Sequence, residues 1–115
     1  MNEDFVPKEI ALKLKEKGFD WRVGYAYDNV CNCMYTVTEY CINYIPAPTI
    51  SQVLKWLRKE KKIHITIDIW GRTWGYDILA LPSGSSLHWT AYDEKINSYE
   101  QAALAGIEYY LDNFI

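Results

Sequence analysis

Ile63 to Trp70 reads Ile-His-Ile-Thr-Ile-Asp-Ile-Trp, an unbroken alternation of isoleucine with another residue type. A period of two puts the four isoleucines on one face of a strand and His64, Thr66, Asp68 and Trp70 on the other. β-Branched side chains suit a pleated, half-buried surface, so this run commits its part of the chain to a sheet with one covered face. Gly71-Arg72-Thr73 follows as a tight connection, and Trp74 to Leu81 forms the returning strand of an antiparallel hairpin. Pro82 to Ser86 reads as loop, and Leu87 to Tyr92 as a short third strand.

Three segments carry helical spacing. The first runs from Pro7, suited to an opening turn because it lacks an N–H, to Lys17. Ile10, Ala11 and Leu14 share its apolar face, and Gly18 supplies a left-handed stop with Phe19 folding back. In the second, Thr49 and Gln52 form a capping box. Ile50, Val53, Leu54 and Leu57 then make an apolar stripe flanked by Trp56, and the helix closes near Lys62. The third has a capping box at Ser98 and Gln101, with Ala103, Gly106, Ile107, Tyr110, Leu111 and Phe114 on its stripe. A helix-interior glycine costs about 1 kcal/mol, so Gly106 on that stripe predicts close approach to a sheet.

Trp21 to Tyr27 and Met34 to Ile45 read as a further strand pair, closed by Pro46-Ala47-Pro48. The order αββαββ(β)α predicts an α+β fold, one small domain over residues 1–115. Its expected core is an antiparallel sheet of four or five strands with three helices packed on it. At 115 residues the chain has room for one core.

The net charge of −3 excludes a globally basic polyanion binder. Its distribution is uneven: residues 63–115 hold two basic and seven acidic side chains, whereas Lys55, Arg58, Lys59, Lys61 and Lys62 are offset only by Glu60. That basic cluster reads either as a solvated helix C-terminus favoured by the dipole or as a phosphate-contacting patch. The N-terminus is acidic and unlike a signal or transit peptide. No apolar run approaches the roughly 18–20 residues of a membrane span, so no membrane association is expected. Cys31, Cys33 and Cys41 leave one thiol over in any pairing, and together with the two preceding features this favours a reduced, cytoplasmic setting.

Little in the sequence supports catalysis. Cys31-Asn32-Cys33 with Cys41 and a histidine lacks zinc-site spacing, and no metal or other cofactor is expected. His64 and Asp68 share a strand face but stand roughly 13 Å apart, so they form no dyad. An enzyme would need His64, Asp68 and His88 to converge. Fifteen of the eighteen aromatic residues are Tyr or Trp, which combine an apolar body with a polar tip. The hairpin concentrates Trp70, Trp74 and Tyr76, with Arg72 at its tip. His64 and Thr66 extend the same polar face, and Lys59, Lys61 and Lys62 precede it. These residues define a candidate interaction surface with three readings: internal packing, a protein interface, or base stacking beside lysines.

The segment Ala47-Pro48-Thr49-Ile50-Ser51-Gln52-Val53-Leu54-Lys55-Trp56-Leu57-Arg58 resembles an A-P-T-x-x-Q-x-x-x-W-L-R stretch followed by an isoleucine-rich strand. That stretch belongs to short proteins of phages, prophages and mobile elements of gut Bacteroidetes. Ser98 to Leu111 is similar to the family's Y-E-x-A-x-x-x-G-I helix, and Lys8 to Phe19 is similar too. The resemblance spans most of the chain and is weakest over 21–45. It implies a bacterial, cytoplasmic, mobile-element setting and carries over no catalytic or ligand residue. Taken together, the sequence predicts a small non-enzymatic accessory protein that binds protein or itself, with nucleic-acid binding as the alternative.

Overall fold

In the computed structural model, residues 4–28, 33–37, 45–71, 73–90 and 96–115 are described, Trp70 by its backbone alone. The α+β alternation resolves there into three helices and two three-stranded antiparallel sheets, in place of one sheet of four or five strands. These elements gather in two units, residues 1–49 and 50–115. None of the described helices is long and apolar enough to cross a membrane.

In the first unit, α1 (Lys8–Glu16) buries Ile10, Ala11 and Leu14, the face its spacing predicts. Gly18 stops it at φ 93°, a conformation glycine adopts without a Cβ penalty. The Phe19 N–H donates to the Leu14 carbonyl at 2.9 Å and the Gly18 N–H to Lys15 at 3.3 Å, the paired bonds of a Schellman ending. The sheet has the order β2-β1-β3, with β1 at Tyr25–Tyr27, β2 at Met34–Thr36 and β3 at Ile45–Pro46. The expected long strand from Met34 to Ile45 is therefore two strands, one on each side of β1. Pro46 belongs to β3, an edge position where its missing N–H costs no ladder bond. Tyr27, the last residue of β1, is buried and donates its hydroxyl to the Val6 carbonyl at 2.5 Å. Cys33 is disulfide-bonded, which corrects the expectation of reduced cysteines and removes its thiolate from any metal site. Cys31 and Cys41 lie outside the described residues.

The second unit opens with α2 (Ile50–Trp56), which continues into one turn of π-helix, Leu57–Lys61. Trp56 does not merely flank the stripe: it is 2% exposed, and the Lys61 ammonium lies 5.4 Å from its ring centroid. Lys62 ends the turn in the left-handed region at φ 57°, and its carbonyl accepts the Leu81 N–H at 2.9 Å. The sheet order is β4-β5-β6, with β4 at Ile63–Trp70, β5 at Thr73–Ala80 and β6 at Ser85–Trp89. β6 starts two residues before its expected position and carries a bulge at Leu87, because Leu79 pairs with Ser86 and Ile78 with His88. The last helix, α3 (Tyr99–Asn113), lies across β4 and β5. A Cβ on Gly106 would stand 3.0 Å from Ile65 Cγ2 and 3.1 Å from the Tyr76 ring, so the helix approaches the sheet as its glycine predicts.

Candidate functional site

Register decides which side chains of the hairpin share a face. Trp70 pairs with Thr73 and Ile69 with Trp74, so the two strands are separated by two residues of sequence and not three. A three-residue connection would have set Trp70 opposite Trp74. Shortening it by one residue moves every β5 side chain to the other face. Trp74 and Tyr76 therefore join the isoleucines under α3, and the expected aromatic ribbon beside His64 and Thr66 does not form.

The candidate surface is divided accordingly. Tyr76 is 7% exposed against Gly106 and Ile65. Burial pushes its hydroxyl pKa above the usual tyrosine value, and the nearby Tyr109 adds to the shift. Trp74 is half-buried and meets Tyr99 edge-on, centroids 6.2 Å apart. Arg72 lies outside the described residues. Lys59 and Lys62 are exposed at the π-turn, whereas Lys61 covers Trp56. His64 and Asp68 occupy the face of β4 turned away from α3. His88 lies on the opposite face, its ring stacked 3.7 Å from Tyr109 at an interplanar angle of 5°. His64, Asp68 and His88 do not converge, so the catalytic arrangement they would need is not built.

The face turned away from α3 carries a depression of about 170 Å³, lined by Asp68, Gly75, Tyr76, Asp77, Trp89 and Thr90. Each strand contributes through its register. Asp68 on β4 faces Gly75 on β5, and Asp77 on β5 faces Trp89 on β6. Glycine has no side chain to fill the space beside Asp68, so the depression opens there. Tyr76 borders it while its ring packs on the other side of the sheet. The Ser86 hydroxyl donates to Asp77 Oδ1 at 2.7 Å and holds that carboxylate in place. Trp89 stands 62% exposed at the rim, the largest exposure among the big apolar side chains described.

Sequence reasoning considered Asp68 only as half of a dyad and did not single out Asp77 or Trp89. The available signal was the spacing of β6: a strand starting at Ser85 rather than Leu87, with one bulged residue, aims Trp89 to the side of Asp77. An exposed indole lining the same depression as two carboxylates offers a flat π-face and two acceptors to a cation.

The fold and the depression together define a small α+β protein with an acidic, tryptophan-bearing sheet face. In comparisons with known proteins, no family model, no curated protein and no solved structure matches the chain.

Proposed function

We propose that this protein is a small non-enzymatic binding module that docks a protein partner on the open face of the β4–β5–β6 sheet. The observation that carries the reading is Trp89, 62% exposed at the rim of the depression. Large exposed aromatics are costly to leave in water and are favoured anchors of protein interfaces. Asp68 and Asp77 select the partner's chemistry, because two carboxylates beside an indole suit a lysine or arginine side chain.

Nucleic-acid binding gains less from the same geometry. Base stacking beside the lysines required Trp74 and Tyr76 on the surface, and both pack under α3. The carboxylates at Trp89 would repel phosphate. The cytoplasmic setting is expected from the N-terminal residues, the lack of a long apolar run, the cysteine count and the family resemblance together, and the disulfide at Cys33 weighs against the cysteine part of that expectation.

A photocrosslinking amino acid in place of Leu87, 44% exposed on β6, tests the reading in cells that naturally express the protein. The expected result is a covalent adduct with a discrete protein, lost when Trp89→Ala is added while the circular dichroism spectrum is unchanged. An adduct of equal yield with Trp89→Ala would remove this face as the docking site.

A further inference from the structure

Resting on that reading, we infer that the cation entering the depression comes from a second copy of this chain: Arg58, Lys59 and Lys62 of one copy dock against Asp68, Asp77 and Trp89 of the next. The chain carries both halves of the contact. Four of the five residues from Arg58 to Lys62 are basic, whereas residues 63–115 hold seven acidic side chains against two basic ones. Arg58, Lys59 and Lys62 are exposed, and so is Asp68.

Placement keeps the two halves apart within one copy. Lys62 directly precedes Ile63, which pairs with Ala80 at one end of the hairpin ladder. Asp68 pairs with Gly75 toward the other end. At about 3.3 Å per residue the rise from Ile63 to Asp68 is roughly 17 Å, too far for Lys62 to fold back onto Asp68 of its own copy. The basic turn is also held in position. Its last residue is fixed in the left-handed region, and its carbonyl accepts the Leu81 N–H. A presented turn that is already ordered loses less conformational entropy on docking.

Because donor and acceptor patches differ, the contact is heterologous, and each bound pair leaves one patch of each kind open. Assembly therefore proceeds head to tail. The patches are small and charged, so the contact is weak, screened by salt and visible only at high protein concentration.

Sedimentation velocity over a dilution series of the full chain, at about 0.05 M and about 0.5 M salt, reads this directly. The mean mass is expected to rise with concentration at low salt and to return to that of the monomer at high salt. The variants Asp68→Asn/Trp89→Ala and Arg58→Glu/Lys59→Glu change exposed residues, and each should weaken association at least about tenfold. Mixing the two should restore a complex that stops at the dimer, because one variant supplies only the basic turn and the other only the depression. A wild-type protein that stays monomeric at low salt overturns the inference. If a Trp89-dependent crosslink to another protein persists in that case, the binding reading stands and only the identity of the occupant falls. Association untouched by Asp68→Asn/Trp89→Ala overturns the inference, and the crosslink at Leu87 then decides the binding reading separately.

Discussion

Gly106 sets the distance between α3 and its sheet. The propensity rule alone favours Gly106→Ala by about 1 kcal/mol. The added methyl would meet Ile65 Cγ2 at 3.0 Å and the Tyr76 ring at 3.1 Å, both closer than ordinary packing contacts. Ile65 and Tyr76 are 4% and 7% exposed, so neither has open space to retreat into. Overpacking of this kind costs about 1–3 kcal/mol, which outweighs the helix gain. Gly106→Ala should therefore lower stability by about 1 kcal/mol and Tm by a few degrees, measured by thermal denaturation. A Tm equal to or above that of the unmodified protein would show that the Tyr76 ring yields. Gly106 could be assigned this role from its stripe position, because a glycine on an apolar helix face has few other uses. Tyr76 could not be placed so easily: nothing in its own neighbourhood says which face it takes, since that depends on the length of a loop several residues away.

Elements were readable in proportion to how locally they are determined. The cap of α3 is local. Ser98 Oγ accepts the Gln101 N–H at 3.1 Å, and Gln101 Oε1 accepts the Asn97 N–H at 2.9 Å, so the two side chains satisfy donors reciprocally much as the spacing predicts. Ser98→Ala should cost about 1 kcal/mol and Ser98→Asp much less, since aspartate also caps; urea denaturation followed by circular dichroism compares them. Equal losses in both variants would assign the effect to packing instead of capping. The β4–β5 hairpin was equally clear in outline, yet its faces turned on whether Thr73 belongs to loop or strand. Tyr, Thr, Val and Ile from Met34 to Ile45 announce strand but not where one strand stops, and β2 and β3 were merged for that reason. The π-turn at Leu57–Lys61 had no signal, because its spacing departs from the α-helix only after the apolar stripe has ended. Asp77 and Trp89 form a site only through pairing across β5 and β6, a relation that periodicity within one strand does not contain.

The α+β class followed from alternating helical and strand periods, whereas the division into two sheets depends on pairings between distant segments. Each unit nevertheless uses the same device, a tyrosine whose ring is buried and whose hydroxyl must stay protonated. Tyr27 lies in the first unit and Tyr76 and Tyr110 in the second, and burial raises the pKa of all three above the ordinary value of 10.0. A raised folded-state pKa means that the folded chain holds more protons than the unfolded chain above pH 10. Stability from these groups is then complete below pH 10 and declines as pH rises through their folded values. Tyr27 has a further reason to resist ionisation, because its hydroxyl proton is donated to the Val6 carbonyl and a phenolate would leave that acceptor unmatched. The urea midpoint should therefore show no loss attributable to these tyrosines between pH 7 and about 9, and should fall above pH 10 together with a rise in tyrosinate absorbance. Tyr110→Phe removes one of the three protons without removing the ring and should make that alkaline fall shallower. A slope unchanged by Tyr110→Phe would mean that the loss of stability comes from elsewhere, leaving the buried hydroxyls without a part in alkaline unfolding.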